Sequence, residues 1–200
     1  MYIERLKVFY EKSKVTFTFL AIMVLYFIFM TLNGGTTDVE TLIKYGAMFP
    51  PFVSEYNEYY RFITSIFIHI GIMHIFFNGY ALYIFGPEIE KLMGPKKYFL
   101  FFILTGIGGN VATYLFNFVS VSAGASGSLF GLFGAFLYLV VRHPQMVTPA
   151  GKKNILQLLG INLLLTFLVP SISITAHLGG LIIGFLLSFV FIKVNTTMPR

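Results

Sequence analysis

The chain is 200 residues long and carries 14 Lys+Arg against 8 Asp+Glu, a formal charge of +6, so only 11% of its residues are charged where ~25% is usual. Hydrophobic residues make up 56%, Phe alone contributes 24, and the mean hydropathy is +0.80, which is more apolar side chain than a soluble domain of this size can hide. Disorder, a nucleic-acid-binding domain and a disulfide-stapled secreted module are thereby excluded, the last because there is no Cys, and an integral membrane protein remains.

A bilayer core of ~30 Å takes about 20 apolar residues per helix, and charge inside it is costly. The uncharged intervals are 15–37, 62–87, 98–141 and 154–192. The first two are long enough for one span each. The third is interrupted by the small, polar stretch Asn117 to Gly127, and the fourth around Pro170 to Ser173, so each holds two spans. This predicts an all-α, compact bundle of six transmembrane helices in one domain, at 15–33, 72–88, 97–117, 126–141, 154–169 and 175–193. Residues 34–71 form a long first loop, oily enough to be partly embedded (Phe49, Phe52, Tyr56, Tyr59, Tyr60). The basic residues before the first apolar run resemble a signal peptide. That run is too long for an h-region and no A-x-A site follows, so a retained helix is expected.

Alternating the sides from residue 1 collects Arg5, Lys7, Lys12, Lys14, Lys91, Lys96, Lys97, Arg142, Lys152, Lys153, Lys193 and Arg200 on one face of the membrane, against Lys44 and Arg61 on the other. Cations favour the cytoplasmic side, so both termini are expected there. The second, fourth and sixth helices then run from outside to inside, with their first turns near the outer surface.

Four polar side chains share that depth. His74 and Asn78, four residues apart, lie on one face of the second helix. Ser126 opens the fourth helix and His177 stands near the start of the sixth. Each alone has an ordinary structural reading, a serine as interhelical glue, a histidine or asparagine as a packed hydrogen-bonding residue. Gly127 with Gly131, and Gly180 with Gly184, are small-xxx-small packing pairs that would bring the fourth and sixth backbones close enough for Ser126 and His177 to meet. A serine hydroxyl becomes a nucleophile when a base takes its proton, and histidine is the natural base. The Asn78 amide, a His74 ring N–H and the Ser126 backbone N–H could then receive the developing oxyanion. Asp38 is the only aspartate, and no Glu falls in a span at the outer depth, so a Ser–His dyad without an acid is the most the sequence permits. There is no His-Glu-x-x-His motif, no aspartate pair and no G-x-S-x-G elbow, since position 128 is Ser. His69, His74 and His177 have no spacing typical of metal ligands.

These residues together resemble the rhomboid family of intramembrane serine proteases. The matching pieces are Arg61, His69-xxxx-His74-xxx-Asn78, Glu90-xxx-Gly94, Gly124-Ala125-Ser126-Gly127 with Gly131, and Ala176-His177-xx-Gly180-xxx-Gly184. They run from about residue 60 to 185. The resemblance implies Ser126 as nucleophile and His177 as general base, with His74, Asn78 and the Ser126 amide as oxyanion hole and Gly124 leaving room for the substrate backbone. Arg61 and His69 would organise the first loop, and Glu90 would be structural at the inner end of the second helix. It further implies transmembrane protein substrates cut near the outer end of their span, lateral entry gated by the fifth helix and the loop at 169–174, and no cofactor or metal. Two departures stand out. Tyr60-Arg61 replaces a common Trp-Arg pair, and Phe130 stands where some relatives carry a Tyr against which the histidine ring packs. The expected location is the plasma membrane, with the site open to the extracytoplasmic side and the lipid bilayer, not nucleic acid, as surroundings; the oligomeric state is not legible. Two other readings stay open, a non-catalytic relative that binds transmembrane segments and a small transporter using the polar cluster as a path.

Overall fold

The structure, a computed structural model, describes residues 2–170 and 172–193. Ser171 of the predicted break and Arg200 of the inner cations lie outside the described residues. The elements in chain order are α1 (Tyr2–Lys12), α2 (Lys14–Leu32), α3 (Val39–Lys44), α4 (Pro50–Tyr56), α5 (Arg61–Thr64), α6 (Gly71–Met93), α7 (Pro95–Phe116), α8 (Ser126–Arg142), α9 (Pro149–Leu168) and α10 (Ile174–Phe191). Among the described residues the only β contact is an isolated antiparallel bridge, Met48 to Ser122.

The six long helices α2 and α6–α10 follow the predicted order. By length and apolarity alone, α2, α7 and α10 can each cross a membrane. α8 is apolar but has 17 residues, about 25 Å of helix. It compensates by position, because 12 of its 17 residues are buried among α6, α7, α9 and α10, as expected for a helix apolar on every side.

Several boundaries differ from the sequence reading. α6 continues past Pro87 and the charges of Glu88, Glu90 and Lys91 to Met93, five residues beyond the expected end. α9 starts at Pro149 rather than 154, because Thr148 caps it by accepting from the Gly151 N–H at 3.1 Å. The first loop contains α3, α4 and α5. Asp38 starts α3 by accepting from the Thr41 N–H and hydroxyl, both at 2.7 Å, and these two bonds hold its carboxyl below the usual range.

α2 is fixed to α6 by Glu90. This buried carboxylate accepts from the Val15 and Thr16 N–H groups, each at 2.9 Å, and from the Thr16 hydroxyl at 2.7 Å. It thereby satisfies the orphan donors at the α2 N-terminus and meets the positive end of that helix. Further along, Phe19 stacks on Phe102 of α7, centroids 4.4 Å apart. Glu90→Ala strands the Val15 and Thr16 N–H groups, the latter buried, and the Thr16 hydroxyl, and it is expected to cost about 3 kcal/mol of stability, read as a lowered midpoint in a denaturant titration of detergent-solubilised protein.

α7, α8 and α10 pack backbone to backbone. A Cβ on Gly180 would overlap the carbonyl oxygen of Gly127, and one on Gly184 would overlap that of Gly131. The two small-xxx-small pairs predicted from sequence therefore face each other.

Candidate active site

The polar residues singled out in the sequence sit at the N-terminal ends of three helices. His74 is the fourth residue of α6, Ser126 the first of α8 and His177 the fourth of α10. The approach of α10 is set at Ala176, whose carbonyl oxygen lies 2.6 Å from where a Cβ of Gly109 would stand and 3.4 Å from that of Gly127. The residue before His177 thus lies against the residue after Ser126. Ser173 caps α10 by accepting from the Ala176 N–H at 3.2 Å, and Thr113 of α7 lies 3.1 Å from the Thr175 hydroxyl.

The His177 ring is buried and stacks on Phe130, one turn along α8 from Ser126, with centroids 4.1 Å apart and planes tilted by 20°. The hydroxyl that Phe130 lacks plays no part in this face-to-face contact. His177 Nδ1 lies 2.8 Å from the Thr166 hydroxyl of α9. Among the described residues no hydrogen bond joins Ser126 to His177.

His74 and Asn78 share one face of α6. His74 Nδ1 accepts from the Ile70 N–H at 3.3 Å, which puts the ring proton on Nε2. Asn78 is buried and donates from Nδ2 to the His74 carbonyl at 2.9 Å, so one of its two amide hydrogens is uncommitted, and its Oδ1 has no partner. Gly124 closes on this pair. With φ of +130°, a side chain there would be strained, and its Cβ would sit 2.7 Å from the His74 ring. The room that Gly124 provides is thus taken by His74.

His69 is almost wholly buried. Its Nε2 accepts from the Ala125 N–H at 3.3 Å and its Nδ1 faces the Phe67 carbonyl at 3.2 Å, which requires the Nδ1–H tautomer. Burial first, and His74 beside it second, push its pKa down to about 3, so the ring stays neutral. His69 therefore ties the loop before α6 to the start of α8. Arg61, also buried, donates from Nη1 to the Ile43 and Ala47 carbonyls at 2.8 and 2.7 Å, and from Nε to Glu58 at 2.6 Å. Its guanidinium lies over both the Phe52 and the Tyr60 ring, 5.1 and 5.4 Å from their centroids, so Tyr60 serves as an aromatic partner. Arg61 thus gathers α3, α4 and α5.

Sequence reasoning missed three residues that hold this arrangement. Ser65 accepts from the Gly124 N–H through its carbonyl at 2.9 Å, and its hydroxyl accepts from Asn110 Nδ2 at 2.8 Å. Asn110 reaches the Phe62 carbonyl as well, at 2.8 Å, joining α7 to the first loop. The third is Thr166. None stands in a pattern that periodicity would reveal, because the partners that join elements, Gly124 for Ser65, Phe62 for Asn110 and His177 for Thr166, lie far along the chain or on another helix.

An all-helical bundle in which three helices are long and apolar enough to cross a membrane, with polar side chains buried among them, defines an integral membrane protein. Residues 56–194 match the Rhomboid domain model. The rhomboid protease GluP of Bacillus subtilis is 38% identical over 178 residues, which cover 88% of this chain and 35% of that relative. YdcA of the same organism is 37% identical over 138 residues, covering 68% and 69%. RHOMBOID-like protein 1 of Arabidopsis thaliana is 36% identical over 154 residues, covering 76% and 39%. The chain belongs to the rhomboid family. It spans about a third of the length of GluP and most of YdcA.

Proposed function

We propose that the protein is an intramembrane serine endopeptidase that hydrolyses a peptide bond near the outer end of a substrate's transmembrane segment. In this reading α2 and α6–α10 cross the plasma membrane with both termini cytoplasmic, so that Ser126, His74, Asn78 and His177 lie toward the extracytoplasmic side. Ser126 Oγ attacks the scissile carbonyl while His177 Nε2 takes its proton. The carbonyl carbon and Oγ form a bond, and the carbonyl electrons move to oxygen. The oxyanion is received by the His74 Nε2–H, the free Asn78 amide hydrogen and the Ser126 N–H at the start of α8. His177 then returns the proton to the leaving amine, and a water activated by the same ring resolves the acyl-enzyme.

The observation that carries this reading is the approach of α8 to α10, in which Gly127 lies against Ala176 and the His177 ring stacks on Phe130. The protease names of GluP and YdcA are in accord with it. The test is incubation of purified protein with a fluorophosphonate and with a model single-span membrane substrate. Labelling is expected at Ser126, and mass mapping of products should put the cut near the outer end of the span. Folded protein that neither labels nor cleaves would overturn the reading.

Asn78→Ala is expected to slow turnover by roughly 10–10³-fold. Stability should change little, because the lost bond runs to a carbonyl of the same helix and the orphaned Oδ1 is removed with it. Turnover and thermal unfolding measured on one preparation check both halves.

A further inference from the structure

Among the described residues no carboxylate approaches His177, yet its Nδ1 is not idle. Thr166 Oγ lies 2.8 Å from that nitrogen and 2.7 Å from the Asn162 carbonyl oxygen one turn back on α9. A threonine hydroxyl has one hydrogen, and a carbonyl oxygen can only accept. Both short contacts are satisfied in one arrangement: Thr166 donates to the Asn162 carbonyl and accepts from an Nδ1–H of His177. The reverse, with Thr166 donating to Nδ1, would leave two oxygens facing each other at 2.7 Å with no hydrogen between them, at a side chain that is itself buried.

We infer that Thr166 is the positioning residue of His177, holding its proton on Nδ1 and so leaving Nε2 bare, in the place that an acid takes in a Ser–His–acid triad. This inference rests on the dyad reading above. The chain of bonds runs from Nδ1–H to the Thr166 hydroxyl and on to a carbonyl in the last two turns of α9, the negative end of that helix. When Nε2 takes a proton from Ser126, the same chain faces the imidazolium with acceptors. Thr166 and Leu159 are the only residues that α9 buries, so this contact is also one of the few that hold α9 to the bundle.

The chain has four histidines, so its ¹⁵N-imidazole resonances can be assigned by difference with His177→Ala. In the wild type, His177 is expected to carry its proton on Nδ1 alone; a proton found on Nε2 would overturn the inference with no variant made. Thr166→Val, which keeps the shape, should give a tautomer mixture and lower kcat about tenfold with KM nearly unchanged. Thr166→Ser should restore both the tautomer and kcat. Equal impairment of the Val and Ser variants would assign the site to packing and overturn the inference, as would wild-type kcat in Thr166→Val. Cleavage that survives Ser126→Ala or His177→Ala would instead defeat the dyad reading, and the tautomer measurement stands apart from that outcome.

Discussion

Gly180→Val is expected to yield no folded protein, because no glycine in the bundle makes a tighter approach to its neighbour. At Gly180 even the first carbon of a side chain would overlap the Gly127 carbonyl oxygen, and that carbonyl belongs to α8, which is buried on nearly all sides and cannot shift away. Its neighbours are backbone atoms, so no flexible side chain can swing aside. Relief requires α10 to move outward by more than an ångström, which breaks the matching contact of Gly184 with Gly131 and the stack of His177 on Phe130. Overpacking of well-filled cores costs about 1–3 kcal/mol where side chains can adjust, and more where only backbone can. Gly180→Ala should already lower the unfolding temperature sharply. Gly160→Ala is the control, since nothing lies within 4 Å of a Cβ there. On helix propensity it should be neutral or stabilising by about 0.5–1 kcal/mol. Monodispersity after detergent extraction and resistance to proteolysis distinguish the three variants.

The same packing explains why so much was legible in the sequence. Charge spacing locates apolar helices, because charge and lipid exclude each other, and α2 was expected at 15–33 and lies at Lys14–Leu32. Glycine spacing marks close helix faces because nothing else permits them. Charge spacing fails where a helix leaves the apolar layer without ending. The charge of Glu88 marks the edge of a span, whereas α6 continues to Met93 and turns the Glu90 carboxylate onto the end of α2. The first loop misled for a related reason. α3, α4 and α5 are each too short to show a period, and they are assembled by one buried guanidinium, Arg61, whose partners lie up to 18 residues away. At the candidate site the polar residues announced themselves by being out of place in lipid. Thr166 did not, because a threonine in an apolar helix ordinarily satisfies itself by bonding to the carbonyl four residues back, and this one does that too. Its second partner, on the next helix, cannot be read from one dimension.

The largest functional effect is expected from the dyad itself. Ser126→Ala and His177→Ala should each lower cleavage by at least about 10⁴-fold, and the double variant should be no worse than either alone. Residues that act on the same proton fail together, so the second substitution has nothing left to remove. The two single variants differ in other ways. Ser126→Ala deletes one oxygen from a half-buried position at a helix start and should leave the unfolding temperature close to that of the wild type. His177→Ala removes a ring that is stacked on Phe130 and bonded to Thr166, so stability should fall by about 2–4 kcal/mol. Matched activity losses with unmatched stability losses therefore separate chemistry from folding. Strictly additive activity losses would mean that Ser126 and His177 act in different steps, and the proposed proton transfer between them would have to be abandoned.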